Sequence, residues 1–455
     1  MQRLALIPIL VLGLGFAPRA AGLEPGTELS FRGGIAPLEG AAAGTAEKQF
    51  ELTILVGPTN DEGTTLDWVV TEQGRGGFSW PERFGRLAVD GRWQGDVEQV
   101  PALLYVSEEA TTVVPLPLPL VDAPAAIDVE TEWTDGPRVY RAIEPTQQAG
   151  RDCWRVEMSN AYGRQQVIWL DRASPLALAL TKRVFMGQGV EYELSLRLVE
   201  QRTLAAAEWD SARSAFDAAL DLRQRLGRPP RTESGTFSAQ QRELLVADLP
   251  ALVERATSGP LAAIVRSAQR DLKQQSDRAG DLADMATRYR GRAAEAFAVT
   301  GLGEARLTQA DLAGQVTVLH FWDYRDTPLS EPYGQVGYLD FLHHRRHESG
   351  VRVFGVAVNP SLGDAQARPA TLRSVRRLVS FMNLSYPILL DDGRLLSQFG
   401  DPRLVGAALP LFVVLGPDGT IAHWHAGYYE VDRDRGLKPL DDEVLRLLKL
   451  RAAGQ

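Results

Sequence analysis

The spacing of apolar and polar residues changes twice along this 455-residue chain. Between residues 24 and 200 the two kinds alternate, as in residues 190–199, where Val190, Leu194 and Leu198 share one face and charged residues take the other. This alternation is typical of antiparallel strands with one solvated face. We therefore predict a curved antiparallel β-domain built from consecutive hairpins.

The proline-rich run VVPLPLPLV (113–121) interrupts this pattern. Proline has no N–H for a sheet ladder, so the run cannot be a central strand. We predict an extended apolar connection that packs over the sheet, with the lip of a ligand cavity as the alternative. The preceding run ALLYVS (102–107) is predicted to be a further strand of the meander.

Residues 201–294 have helical spacing instead. A first alanine-rich helix should stop at Gly227, and Ser238 with Gln241 forms a capping box that predicts the start of a second. A third amphipathic segment follows. No catalytic constellation occurs in this stretch, which we interpret as a helical connector.

After residue 295, apolar runs alternate with amphipathic helices. VTVLHFW (316–322) and VRVFGVAV (351–358) are uniformly apolar, which predicts strands buried on both faces. LPLFVVLGPDGTI (409–421) predicts two strands joined by a Pro-Asp-Gly turn. The whole chain is then an α+β multi-domain protein with a C-terminal α/β domain.

The length of the chain agrees with a division into several domains, and its charge bears on the kind of partner. A chain of 455 residues exceeds one ordinary core, and its net charge of −9 argues against nucleic acid as a partner. Arg3 followed by a short apolar run predicts a secretory signal peptide, hence export to the periplasm or beyond and no membrane span after cleavage, with an uncleaved membrane anchor as the alternative. The predicted domains are a signal peptide (1–22), a β-domain (23–200), a connector (201–294) and the α/β domain (295–455).

Cys153 is the only cysteine, so no intramolecular disulfide can form. Its neighbours alternate as in a strand. We predict a small buried core residue, with a reactive thiol as the alternative.

The C-terminal landmarks carry a resemblance. DLAGQVTVLHFW (311–322), VRVFGVAV, YPILLDD (386–392) and LPLFVVLGPDGTI, in this order and spacing, resemble the redoxin branch of thioredoxin-like proteins, such as the TlpA, ResA and AhpC/TSA types. The resemblance covers residues 296–451. It implies a thioredoxin-like fold and, by family membership alone, thiol–disulfide oxidoreductase or antioxidant activity.

The family places W-C-x-x-C after the first strand of this domain, where a helix N-terminus stabilises the thiolate. Here Asp326 and Leu329 stand near those positions, and no cysteine follows Cys153. We therefore expect no thiol–disulfide catalysis in this domain and name no catalytic residue. Asp326 is interpreted as part of a helix cap, and a carboxylate pair with Asp323 for acid–base or metal chemistry is the alternative.

The resemblance also implies a binding groove. Pro410 matches the family's cis-proline, and Leu409 takes the place whose main chain binds extended substrate. A peptide could add there as a strand. The predicted groove consists of Trp322, Asp323, Tyr324, Asp326, Leu409 and Pro410.

All six histidines lie in this domain. His343 and His347 have the i, i+4 spacing of a metal site, although the arginines between them disfavour a cation. We predict a solvated helix face there, an exposed strand at His423 and His425, and a core position for His320. No metal or cofactor is expected.

The first domain carries a second, weaker resemblance. WLDRASPLALALTKR (169–183) resembles the turn and strand of LolA-type lipoprotein carriers. That resemblance implies a concave face that holds an acyl chain, and a purely structural β-domain is the alternative.

Three functions follow. The first is a binding or scaffold protein of the cell envelope, whose degenerate redoxin domain binds an extended peptide or an envelope protein. The second is the redoxin-type oxidoreductase or antioxidant activity that the family implies. The third is a carrier of an apolar ligand or lipoprotein on the β-domain.

Overall fold

The structure is a computed structural model that describes residues 23–39, 47–61, 63–74, 76–93, 95–96, 99–106, 111–186, 189–227, 237–303, 306–323 and 335–453. It divides into two compact units, Met1–Lys273 and Gln274–Gln455. The predicted signal peptide lies outside the described residues. Among the described helices, none has the length and apolar character needed to cross a membrane.

The described residues of the first unit form twelve strands. They are β1 (Thr27–Pro37), β2 (Lys48–Asn60), β3 (Gly63–Gly74), β4 (Phe84–Val89), β5 (Ala102–Val106), β6 (Thr111–Pro115), β7 (Glu132–Asp135), β8 (Arg138–Gln148), β9 (Arg151–Asn160), β10 (Gly163–Asp171), β11 (Ala177–Met186) and β12 (Val190–Thr203). Ten of them form one antiparallel sheet in the order β4-β3-β2-β1-β12-β11-β10-β9-β8-β7. The prediction of a large antiparallel β-domain is confirmed.

Strands β5 and β6 form a separate two-stranded sheet, so the assignment of ALLYVS to the meander was wrong. Leu103 and Val114 of this hairpin pack into the main core, and Leu104 packs with Phe78 in a small second cluster. Both sides of β5 are buried because it lies over the sheet, and this explains why its sequence does not alternate.

The proline-rich run continues from β6 across the same face. Leu116, Leu120 and Val121 join the core, and the Val121 N–H donates to the Pro175 carbonyl at 2.8 Å. The prediction of an extended connection packed over the sheet is confirmed. The buried core that these residues join has side chains at most 8% exposed, and this burial counts against the apolar-ligand carrier.

A buried ion pair helps to fix strand β5, which lies over the main sheet, to strands β2 and β3. The Lys48 ammonium lies 2.6 Å from Glu72 Oε2, and both side chains are only 1% exposed. The same ammonium donates to the carbonyls of Gly76 at 3.1 Å and Leu104 at 2.7 Å. Its three protons are thus all used, as a buried charge requires.

Three helices follow: α1 (Ala206–Leu226), α2 (Ala239–Arg255) and α3 (Leu261–Tyr289). Helix α1 ends at Gly227, whose φ of +62° supplies the left-handed cap. The predicted capping box of α2 is present, since Gln241 N–H donates to Ser238 Oγ at 3.2 Å and Ser238 N–H to Gln241 Oε1 at 3.0 Å. The division between the two units falls within α3.

The described residues of the second unit form seven strands and four further helices. They are β13 (Ala298–Gly301), β14 (Arg306–Thr308), β15 (Val316–Asp323), α4 (Val336–Arg346), β16 (Val351–Val358), α5 (Arg368–Phe381), β17 (Ile388–Asp391), α6 (Arg394–Phe399), β18 (Leu411–Leu415), β19 (Ile421–Ala426) and α7 (Lys438–Ala453). The sheet order is β14-β13-β17-β16-β15-β18-β19. Helix α6 was not predicted, because six residues are too few to show a helical period.

Strands β15, β16 and β17 run parallel, and β18 and β19 form an antiparallel hairpin beside β15. Side chains of β15 alternate between two cores: Val318 and Trp322 meet α4 and α7, whereas Leu319 and Phe321 meet α6. Burial on both faces is therefore confirmed, and the unit has a thioredoxin-like fold.

Candidate functional site

The predicted site lies at the carboxyl ends of the three parallel strands. Asp323, Val358 and Asp391 stand side by side in the sheet register, each as the last residue of its strand. Ligands of open α/β sheets usually bind outside this edge. The three predicted site residues Tyr324, Asp326 and Leu329 lie outside the described residues, as do Thr327 and Pro328 of the predicted cap.

Trp322 and Asp323 differ in exposure. The Trp322 side chain is 1% exposed and packs into the core beneath the sheet edge. Asp323 is half-buried, and together with Asp391 it adds to the field of Arg403. The main cause of the raised pKa of Arg403 is its hydrogen bond to Asp401. Asp323 therefore faces a cation.

Asp391 serves the fold rather than a ligand. Its carboxylate accepts hydrogen bonds from the main-chain N–H groups of Leu395 and Leu396, both at 2.9 Å. The side chain is 3% exposed. It therefore caps the first turn of α6 and holds the end of β17 against that helix.

The peptide bond between Leu409 and Pro410 is cis, as expected from the resemblance. Both residues are buried. The Pro410 carbonyl accepts from the Gly427 N–H at 2.8 Å. Within the described part of the chain, the main-chain N–H and carbonyl of Leu409 make no hydrogen bond.

A layer of rings lies beneath this edge. His320 is fully buried, as predicted, and its ring stacks on Phe412 with centroids 4.6 Å apart. His425 stacks on Tyr429 at 4.1 Å, and His423 Nε2 is 2.6 Å from the Tyr429 hydroxyl. Burial lowers the pKa of both histidines, that of His423 to about 4.

The prediction of an exposed strand at His423 and His425 was therefore wrong. Both side chains are half-buried because the segment after β19 turns back over them and places the Tyr429 ring against theirs. Two hydrogen bonds fix this segment: Gln335 Nε2 donates to the Tyr429 carbonyl at 2.8 Å, and the Tyr429 N–H donates to Gln335 Oε1 at 3.0 Å.

His343 and His347 lie one turn apart on α4, with ring centroids 5.5 Å apart. His347 is exposed, as predicted, whereas His343 is half-buried. No three His, Cys, Asp or Glu side chains among the described residues are grouped so that they could hold a metal ion.

Cys153 belongs to the first unit and is a core residue, as predicted. It is fully buried, and its Sγ lies 3.6 Å from the Thr146 carbonyl oxygen. Burial raises the pKa of the thiol. Burial and the contact with the carbonyl oxygen both disfavour the thiolate, which is the reactive form of the side chain.

Comparison with known proteins confirms the first resemblance. Residues 290–424 match the model of the AhpC/TSA family. The LolA-like resemblance of the first unit stays a prediction. No curated protein matches the chain.

Several solved structures resemble about a third of the chain. A proposed thiol:disulfide interchange protein DsbE from Chlorobium tepidum shares 20% identity over 35% of this chain and 97% of its own, with a TM-score of 0.26. A secreted Mycobacterium tuberculosis disulfide oxidoreductase shares 21% identity over 33% and 96%, with a TM-score of 0.25. A thioredoxin family interchange protein from Chlorobium tepidum shares 17% over 35% and 97%, with a TM-score of 0.27. No chemistry of this chain follows from likenesses at this level.

Proposed function

We propose that this chain is an exported binding protein whose redoxin-like domain holds an extended peptide segment beside Leu409 without thiol chemistry. The matched stretch 290–424 contains no cysteine. Cys153, the only one in the chain, is a fully buried residue of the first unit. A mechanism that depends on a thiolate and a resolving cysteine therefore has no nucleophile in this domain.

The main chain of Leu409 carries the proposal. Among the described residues its N–H and carbonyl bond to nothing, while the adjacent Pro410 carbonyl is used by Gly427. Leu409 precedes the internal strand β18, and main-chain groups left unpaired beside a sheet can bind an extended segment. An extended peptide would satisfy both groups of Leu409 at once.

Exposed apolar side chains occur on both sides of this position in the sequence. Leu404 is 82% exposed, Tyr428 52% and Val431 41%. Large apolar side chains left in water favour a partner that covers them. The proposed peptide therefore has apolar side chains of its own, and Asp323 with Arg403 adds polar groups for orientation.

We also propose that the protein is exported, and only its N-terminal sequence supports this. A basic residue, Arg3, precedes the short apolar run 4–17, and this order is typical of a secretory signal. Localisation of the full-length chain in a bacterial host by cell fractionation tests this part separately from peptide binding.

Peptide binding is tested by panning a cysteine-free peptide library on the full chain and measuring the selected peptides by calorimetry. The Leu409→Pro variant removes the N–H donor and keeps an apolar side chain. We expect it to weaken binding about 2-fold to 13-fold, the value of one net hydrogen bond. Leu404→Ala serves as a control for a purely apolar contribution, and Cys153→Ser should bind as the parent does.

Hydrogen exchange provides a measurement that does not depend on whether Leu409→Pro folds. In the parent protein, peptide addition should slow exchange in fragments that cover residues 404–411. Unchanged exchange there, or equal affinity of Leu409→Pro, would contradict the proposal. Insulin reduction that disappears in Cys153→Ser would favour the oxidoreductase instead.

A further inference from the structure

A second cleft lies at the opposite end of the parallel strands in the same unit. It occupies about 470 Å³ and is bordered by the first residues of β16. Strand β15 has eight residues, so this end is about 23 Å from Asp323. The polar residues that line it are Gln315, His343, His347, Arg352 and Arg451.

The two arginines of this cleft lack acidic partners. Within the described residues, no carboxylate lies within 4.0 Å of either guanidinium. Arg352 Nη1 donates to the Asp311 carbonyl at 3.0 Å, and its guanidinium lies over the Phe354 ring at 4.9 Å. Arg451 makes only long contacts of 3.4 Å with the carbonyls of Ser349 and Gly350. Most of their ten N–H donors are therefore available.

Two other arginines of this unit, Arg346 and Arg435, are compensated by a shared carboxylate. Arg346 donates to Asp441 at 2.7 and 2.8 Å, and Arg435 donates to the same carboxylate at 3.1 Å. Arg352 interacts electrostatically with Asp311, but the Asp311 carboxylate is hydrogen-bonded by Thr308 and forms no ion pair with the guanidinium within 4.0 Å. The cleft itself is lined by no acidic residue among those described.

The histidines add donors rather than a metal site. His343 and His347 face each other across one helical turn, at a centroid distance of 5.5 Å. A divalent cation between them would also meet the positive charges of Arg352 and Arg451, which line the same cleft. An anion would gain from both guanidinium groups and from an N–H of His343, whereas His347 Nδ1 already lies 3.1 Å from the His344 carbonyl oxygen. Planar guanidinium groups bind phosphate oxygens in pairs, and imidazole N–H groups add single hydrogen bonds.

We propose that this cleft binds a small phosphate-type oxyanion, held by Arg352 and Arg451 with His343 as an additional donor. The apolar wall formed by Val351, Val353 and Pro387 would accommodate a short organic group attached to the phosphate. The site is separate from the proposed peptide edge, and its occupancy does not depend on it.

Titration of the full chain with inorganic phosphate at low ionic strength, followed by calorimetry, tests the proposal. We expect saturable binding that weakens about 10-fold to 100-fold in Arg451→Gln and in Arg352→Gln, because each loses a charged hydrogen-bonding group. The matched control is Arg446→Gln on the same helix. Arg446 pairs with Glu443 at 2.6 Å, so its loss should leave phosphate affinity within about twofold.

A parallel measurement guards against variants that fold poorly. Phosphate should raise the melting temperature of the parent protein and of Arg446→Gln, but not that of Arg451→Gln. Glycerol 3-phosphate in place of inorganic phosphate distinguishes an ester from the free ion, and either one as ligand supports the site. Equal phosphate affinity in all variants, or binding no stronger than that of chloride, would overturn the proposal. So would Zn²⁺ binding that depends on His343 and His347 and is unaffected in the arginine variants.

Discussion

Replacement of Lys48 by methionine removes the positive charge that contacts Glu72 inside the first unit. Glu72 keeps its charge in a site where its side chain is 1% exposed. Two hydrogen bonds from the ammonium, to the Gly76 and Leu104 carbonyls, are lost at the same time. These bonds connect Lys48 of β2 with Gly76 and with β5. We therefore expect the variant to be destabilised where β5 lies on the sheet.

The size of the loss follows from the geometry. Removal of one partner of a buried ion pair costs about 3–5 kcal/mol. Arg83 also interacts electrostatically with Glu72 and compensates part of the charge. We therefore expect the lower end, about 3 kcal/mol in the free energy of unfolding. For a unit of this size, that corresponds to a melting temperature lower by roughly 6–12 °C.

Urea unfolding of the full chain, followed by hydrogen exchange in fragments covering β5 and β6, measures this loss where it should occur. The double variant Lys48→Met/Glu72→Gln should recover most of the stability, since no charge stays buried. Glu51→Gln is the matched control: its partner Arg32 is 3.3 Å away, but both side chains are more than half exposed, so the loss should stay below about 1 kcal/mol. A single variant that loses no more than this control, or a double variant no better than the single, would refute the reasoning.

Two further predictions concern titrating groups. Cys153 should react with a thiol reagent at least about 100-fold more slowly in the native protein than in urea, because its side chain is fully buried; rapid stoichiometric labelling of the native chain would contradict this. His423 has a pKa lowered to about 4 from 6.5 by burial, so the unfolded chain binds a proton in this window that the folded chain does not. Stability should be fully present above pH 6.5 and fall as pH decreases towards 4, and His423→Gln should show a shallower decrease in urea titrations; equal pH dependence of the two proteins would disprove the assignment.

Local patterns predicted the elements whose causes are local. The apolar run of β15, the Ser238–Gln241 capping box and the glycine stop at Gly227 each depend on residues within one or two turns of each other. The alternation of β12 also predicted its buried face at Leu194 and Leu198. The prediction failed at Val190, which is 54% exposed. A period of two shows which face of a strand a residue is on, but it does not show how far along the strand that face is buried.

Contacts between distant residues could not be predicted in this way. Gln335 and Tyr429 are 94 positions apart, and Lys48 and the Leu104 carbonyl are 56 apart. No property of either sequence neighbourhood marks such a pair, since glutamine and lysine are usually solvated. Burial of a polar side chain becomes visible only once the sheet order has brought its partner to it.

The two ends of the β15–β16 pair differ in how well their functional residues could be predicted. Because the two strands run parallel, the residues that directly follow them lie at one edge of the sheet and the residues that directly precede them lie at the other. A resemblance to redoxins directed the prediction to the carboxyl edge, where the chain lacks the cysteines of that family. At the amino edge, Arg352 and Arg451 are 99 positions apart in the sequence, and only the packing of α7 on the sheet brings their side chains into one cleft. The oxyanion site that we propose therefore lies at the edge of the sheet that the family resemblance does not indicate.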